Sequence, residues 1–386
     1  MNKKLLAVMI GGALAGSIGV AQADVQLYGQ VDASIDSHDC TQSGSNCAGY
    51  SGFQGFRSGD KSQKMNMNGN FSYFGIKGAE DLGNGLKAIF DVAFSFDPSG
   101  HQSGGNSTLS DNEKWLGVAG DFGTIRAGTV FTPYSDHGAS LDPFYGTSLE
   151  ANKAGLQSSA LHNETSHSEL ASGGSMGGLV NKTLRYDSPD MNGLSGSVFY
   201  TFGGLSGVTA LNPNGNLGNQ HNPYGVGAQY KNGDILAFAD YLSSAEGSTK
   251  PAGQAIHDDH ALDLGGRYSL GNIGLFGMYE RGGLIFSDVA PVGVNNTYST
   301  SNLWHLGGDF TMGNTLLYAA YGRGHAQVNS VGFDLKTSAW TLGVKHSLSQ
   351  RTSVYAGYNR IGVQSNQKYN LGGQTNHFGL GMNVKF

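Results

Sequence analysis

From residue 24 to the last residue, apolar and polar side chains alternate with a period of two. The final segment shows it best: Phe378, Leu380, Met382, Val384 and Phe386 fall on one face, and His377, Gly379, Gly381, Asn383 and Lys385 on the other. The first segment sets Val25, Leu27, Val31, Ala33 and Ile35 against Gln26, Tyr28, Gln30, Asp32, Ser34 and Asp36. Near residue 86, Leu86, Ala88, Phe90, Val92, Phe94 and Phe96 oppose Lys87, Asp91, Ser95 and Asp97. A half-buried strand of a soluble protein alternates in the same way. These runs, however, are about ten residues long, the length with which a tilted strand crosses a bilayer. Sixteen such segments begin near residues 25, 71, 86, 112, 124, 182, 194, 223, 235, 260, 273, 302, 315, 337, 352 and 375.

The connections between them alternate strictly between long and short. Tight turns rich in Asn-Gly and Asp-Gly type pairs, such as Asp81-Leu82-Gly83-Asn84-Gly85, Asn232-Gly233-Asp234 and Gly313-Asn314, supply the positive φ that hairpins need. Long polar stretches separate the hairpins, among them 37–70, 130–181 and 205–222. Eight long loops and seven short turns fit an even-stranded antiparallel barrel with both ends on one side. Closure is the physical point, because every backbone N–H and C=O in lipid needs a partner. The expected fold is therefore all-β, a 16-stranded antiparallel transmembrane β-barrel.

The first 23 residues stand apart. Lys3 and Lys4 precede an apolar Gly/Ala-rich run, Leu5 to Val20, and Ala21-Gln22-Ala23 offers small residues before Asp24. This pattern reads as a signal peptide over 1–23, leaving one barrel domain over 24–386. No later segment approaches the roughly 18 continuous apolar residues of a spanning helix. Gly at 62, Tyr at 18 and Phe at 19 of 386 residues suit tight turns and aromatic girdles, and Tyr28, Phe71, Tyr200, Phe202, Tyr230, Tyr268, Trp304, Tyr318, Trp340, Tyr355 and Phe386, clustered toward strand ends, read as those girdles. The mean hydropathy of −0.27 is what averaging an apolar outer face with a polar inner one produces. Removing Lys3 and Lys4 takes the net charge from −6 to −8, which argues against a nucleic-acid partner. Cys40 and Cys47 share one polar loop and, in a secreted chain, are a disulfide candidate; a metal or redox pair is the alternative.

Several stretches resemble the trimeric general, non-specific porins of Gram-negative outer membranes, of β-proteobacterial type. They are Leu27-Tyr28-Gly29, the run from Phe74 to Ala88, Gly120 to Arg126, Arg185-Tyr186-Asp187-Ser188-Pro189, and the terminal Phe386. The resemblance implies a homotrimer of sixteen-stranded barrels in the outer membrane, each a water-filled channel for passive diffusion of ions and small hydrophilic solutes. It implies no enzyme and no cofactor. Outer-membrane lipid and the barrel-assembly machinery, the latter reading Phe386 on the last strand as an assembly signal, are the other implied partners.

The third long loop of this family folds inward and narrows the pore. Here it holds Asp136, Leu141-Asp142-Pro143-Phe144-Tyr145-Gly146 and Glu150; an ordinary surface loop is the alternative, although a connection of about fifty residues without a strand pattern usually has a function. The family sets basic wall residues against the acidic loop. This sequence departs from that pattern at Tyr73, at Ala93 and at Gly128-Thr129, where the family commonly carries Arg, Glu and Gly-Arg. The wall charges that alternation leaves are Lys77, Lys87, Arg126 and Arg185, all near short turns, together with Asp91. Fewer mid-barrel arginines beside retained Asp136, Asp142 and Glu150 predict a weakened anion preference. Tyr73 alternatively offers a stacking or apolar patch to a particular solute, or these positions face crowded wall and matter little.

Other signals carry less. Gly173-Gly174-Ser175-Met176-Gly177 has the spacing of a hydrolase elbow but no strand before it and no helix after it. His257-Asp258-Asp259-His260, and His162, Glu164, His167 and Glu169, are metal-ligand types in loops without diagnostic spacing, so no metal is expected. Two rival classes are an outer-membrane hydrolase, which needs a Ser/His/acid set on the barrel exterior, and a plugged structural barrel, which would not conduct.

Overall fold

The computed structural model describes residues 24–42, 63–100, 109–158, 178–202, 224–243, 260–282, 300–328, 332–366 and 372–386. Among these, seventeen strands and one helix follow in order. They are β1 (Asp24–Gln42), β2 (Gln63–Gly69), β3 (Ser72–Gly83), β4 (Leu86–Phe96), β5 (Leu109–Gly120), β6 (Gly123–Phe131), α1 (Pro133–Ser140), β7 (Leu179–Asp187), β8 (Leu194–Thr201), β9 (Tyr224–Asn232), β10 (Ile235–Ser243), β11 (His260–Leu270), β12 (Ile273–Arg281), β13 (Thr300–Met312), β14 (Thr315–Val328), β15 (Phe333–Ser347), β16 (Thr352–Ser365) and β17 (Gly372–Lys385). From β3 onward each strand pairs antiparallel with the next, and β1 closes the sheet against β17 with Gln30 opposite Lys385 and Gln42 opposite Gly373. β2 and β3 both lie along β1, so seventeen strands make a closed barrel of sixteen walls.

Closure leaves no unpaired edge, the condition lipid imposes on a sheet. The terminal residue completes it: Gly29 and Phe386 exchange two backbone hydrogen bonds, at 3.1 and 3.0 Å. The hairpin turns follow from their residues. Asn84 and Gly85, and the glycines at 233, 271 and 313, all have positive φ, as the tightest hairpins require.

Alternation sets the two faces. Leu27, Ile35, Leu116, Leu264, Leu275, Leu306, Leu342 and Leu380 are exposed on the outside, a belt that only lipid or another apolar surface can cover. Asp32, Ser34, Asp36, Asp91, Asp240, Asp263, Glu280 and Asp309 are buried on the opposite face. No described helix is long and apolar enough to cross a membrane, which says nothing of strands.

Two differences from the sequence reading have physical reasons. The stretch 37–70 is not all loop: β1 runs to Gln42, and β2 pairs with it again from Gln63. Outward positions there include Ser37 and Asp39, so the wall continues beyond the apolar belt and loses the alternation that marks it. The second difference concerns aromatics. Tyr200, Phe202, Tyr230, Tyr268 and Phe386 are exposed, as a girdle requires. Tyr318 and Tyr355 are instead buried beneath the loop that follows β6, and Tyr28 and Phe71 contact other inner aromatics.

Candidate functional site

Residues 132–158 lie against the inner face of the wall. The sequence explains the start. Thr132 caps α1, accepting a hydrogen bond from Ser135 N at 3.2 Å, and Pro133 stands where a helix lacks a backbone partner anyway. Past the helix almost every side chain is buried. Phe144 is 0% exposed and sits edge-on to Tyr318 and Tyr355, with ring centroids 5.3 and 6.3 Å away. The wall makes room for it at Gly343, where a Cβ would stand 2.6 Å from the ring. Gly357 does the same for Leu149, and Gly155 packs on Ala339 and Ile361.

Polar contacts fix the rest. Lys345 Nζ donates to the Pro143 carbonyl at 3.0 Å. His137 Nδ1 lies 2.9 Å from the Asp240 carboxylate, and Ser158 N donates to Glu280 at 3.0 Å. Gln157 reaches back to the Gly138 carbonyl at 2.9 Å, tying the two ends of the segment together. At the tip, Phe71 N donates to the Gly146 carbonyl at 3.2 Å. That bond exists because the wall is bulged there. From Ala33–Gly69 to Gln30–Tyr73, β1 advances three residues while its partner advances four, freeing Phe71 N from the ladder.

The residues singled out in the sequence fall into three groups. Asp142 and Glu150 are buried in the loop. Asp142 accepts from Phe144 N at 2.8 Å and Ala151 N at 2.7 Å, and Glu150 accepts from Gly146 N at 3.1 Å with Lys153 Nζ 3.8 Å away. Burial pushes the Asp142 carboxyl up to about 6, against the opposing pull of those backbone N–H groups and of Lys345 and Lys153. These two acids hold the loop's shape, and Phe144 anchors it.

Asp136 belongs to the second group. Its carboxylate is 43% exposed and accepts from Arg185 at 2.6 Å. Arg185 is buried, and also binds Asp187 at 2.8 Å and the Phe131 carbonyl at 2.6 Å. Arg126 pairs with the same Asp187 at 2.6 Å, approaches Glu113 at 3.9 Å, and lies over the Trp115 ring. So both arginines join one network, with Asp187 and Glu113 as members that the sequence reading did not assign to the lumen.

The third group lines the adjoining wall on β1, β3 and β4, beside this network. Tyr73 stacks against Tyr28 and Phe71, Tyr28 donates to Asp91 at 2.6 Å, and Lys77 Nζ lies 4.8 Å from the Tyr28 ring centre. Lys87 is exposed beside the β3–β4 turn.

Sequence reasoning also missed an acidic row. Asp240, Asp263 and Glu280 are direct neighbours across β10, β11 and β12, where the two ends of the inner segment rest. Arg267 pairs with Asp309 at 2.5 Å nearby. Strand alternation alone places these acids inside; what it does not give is the register that brings them together. Cys47, the side chain of Cys40, residues 1–23, the Gly173–Gly177 elbow and the loop histidines at 162, 167 and 257 lie outside the described residues. Among the described residues no cluster of His, Cys, Asp or Glu is arranged to hold a metal.

A closed sixteen-walled sheet with an apolar belt, a polar interior and a loop docked inside defines an outer-membrane β-barrel. Comparison with known proteins narrows the class. A family profile described as Gram-negative porin matches residues 6–366, and this chain belongs to that family. The major outer membrane protein P.IA of Neisseria meningitidis serogroup C is 30% identical over 203 residues, which is 51% of this chain and 46% of that protein. The chain thus spans about half the length of the curated relatives it matches. Among solved structures, an anion-selective porin from Comamonas acidovorans superposes with a TM-score of 0.67 at 20% identity, over 95% of this chain and 100% of that one. In-vitro folded OmpT of Vibrio cholerae, in trimer form, superposes with a TM-score of 0.59 at 16% identity, over 94% and 99%. The family and the belt together place the chain in the outer membrane.

Proposed function

We propose that this barrel is a channel for passive diffusion of ions and small hydrophilic solutes, and that residues 132–158 set its narrowest width. The observation that carries the reading is the docking of that segment on the inner face of the closed wall, through Phe144, His137, Ser158 and Lys345. A loop so anchored takes cross-section from the lumen without sealing it by covalent or sheet contacts, and no chemistry is required of any side chain. The barrel works as a homotrimer, inserted through the assembly machinery that reads Phe386, after removal of residues 1–23.

Charge then sets ion preference. Arg126, Arg185 and Arg267 are each paired with acids, which offsets their positive charge in the lumen. Tyr73, Ala93 and Thr129 carry no charge where the family commonly does. The pore is therefore less anion-preferring than its relatives and leans toward cations. Swelling of vesicles containing the folded protein tests the channel reading. Entry rates that fall smoothly from pentoses to disaccharides support it, and absence of swelling contradicts it.

A further inference from the structure

The inner wall carries a ladder of aromatic rings that the diffusion reading does not use. Tyr28 and Tyr73 meet edge-on at 5.9 Å, Tyr73 and Phe71 at 4.9 Å, and Phe71 and Tyr145 at 6.0 Å. Tyr145 comes from the docked loop; within 141–150 every side chain is buried except Tyr145 and Pro143, which are half-exposed. Phe71 sits at the bulge between β2 and β3, and Tyr28 and Tyr73 are cross-strand neighbours on the face that also holds Gln30 and Asp91.

The ladder is built and held, not an accident of crowding. The Tyr28 ring lies over Gly75, where a Cβ would stand 2.8 Å from Cε1 and 2.9 Å from Ala93 Cβ. Only small residues at 75 and 93 let the ring lie there. Its hydroxyl is pinned to Asp91 at 2.6 Å, and the Gln30 amide holds the Phe71 carbonyl at 2.7 Å. Phe71 N is bonded to Gly146, next to Tyr145. The rings are therefore fixed with part of their area facing the lumen, at the place where the loop tip meets the wall.

At the lower end of the ladder stands a cation. Lys77 is exposed, on the same face as Tyr73 and four residues along the strand, which is about 13 Å. Its ammonium lies over the Tyr28 ring, while the Asp91 carboxylate opposite is occupied by the Tyr28 hydroxyl. What this strip offers a passing solute is aromatic area joined to an exposed ammonium, beside a carboxylate already engaged by Tyr28.

We propose that Tyr28, Phe71, Tyr73, Tyr145 and Lys77 form a low-affinity subsite for aromatic carboxylates inside the lumen. The ring of the solute stacks beside Tyr73 and its carboxylate meets Lys77. This rests on the channel reading and deepens it, naming a solute class that the pore retains briefly while it passes. Stacking prefers ring-bearing solutes over small inorganic ions regardless of overall ion preference.

The test is conductance of the folded protein in planar bilayers titrated with sodium benzoate, sodium acetate, benzyl alcohol or glucose. Benzoate is expected to lower conductance saturably, with half-effect in the millimolar range, and acetate to have no such effect. Tyr73→Ala should raise the half-effect concentration at least fivefold, Tyr73→Phe should restore it, and Lys77→Gln should weaken benzoate without changing the response to benzyl alcohol. Each variant is scored against its own open-channel conductance, so a change in pore width does not enter the comparison. Equal effects of benzoate and acetate, or an unchanged response in Tyr73→Ala, overturn the subsite. So does saturable block by glucose without block by benzoate, which would assign the rings to sugars. A wild-type protein that conducts but shows no block removes the subsite alone, whereas one that does not conduct removes the channel.

Discussion

Phe144→Ala is the substitution that should separate the loop from the wall. The ring is fully buried, faces Tyr318 and Tyr355 edge-on, and fills the space over Gly343. Removing a buried Phe costs about 3–5 kcal/mol, which is about a hundredfold to a few thousandfold in the docking equilibrium of the loop. The wall hydrogen bonds are untouched, so the barrel should still form and migrate as a heat-modifiable band. The loop keeps its His137 and Ser158 contacts at the two ends, so its tip should leave the wall while its ends stay. The expected readout in single-channel recording is larger open conductance with excess noise. Gly343→Val attacks the same contact from the other side, placing a Cβ 2.6 Å from the ring, and should give the same phenotype. Unchanged conductance and noise in both variants would refute the claim that this contact holds the constriction.

Three further outcomes follow from the same geometry. The docked loop holds the Asp142 carboxyl at about 6, above the ordinary carboxylate value of about 3.9. The docked state therefore binds more protons than the released one between those values, and docking should be strongest below about pH 4 and weaken as pH rises to about 6. Conductance noise should rise across that window, and Asp142→Asn should flatten the profile. Arg185→Gln leaves Asp136 and Asp187 without their shared partner, so reversal potentials in a salt gradient should move toward cations by about twofold in permeability ratio. Phe386→Ala keeps the two backbone bonds to Gly29 but removes the exposed ring at the seam; the folded fraction after membrane assembly should fall while assembled molecules conduct normally.

The barrel was legible in the sequence because its determinants are local. Alternation at Phe378–Phe386 and at Val25–Asp36, and turns such as Asn84-Gly85, fix faces and hairpins without knowledge of distant residues. The sixteen strand starts read there fall within a few residues of the structure; what was missed is the run of β1 to Gln42 and the short β2 at Gln63–Gly69, where the outward Ser37 and Asp39 interrupt the alternation. The inner site was legible only as a list. Asp136, Asp142 and Glu150 look alike in sequence, yet one is half-exposed and paired with Arg185 while the others bind loop backbone. The acidic row needs three strands in register, and the aromatic ladder needs a bulge and a loop tip to meet. Tyr318 and Tyr355 read as girdle residues because alternation does not reveal that a loop will return to cover them.

The central claim is an open lumen narrowed by residues 132–158 and leaning toward cations. Single-channel recording of the purified folded protein across a potassium chloride gradient tests it most directly. The account predicts discrete conductance steps that group in threes, with a reversal potential showing weak anion preference or outright cation preference. Well-folded protein that gives no steps would contradict the channel itself, and strong anion selectivity would contradict the reading of the lumen's charge.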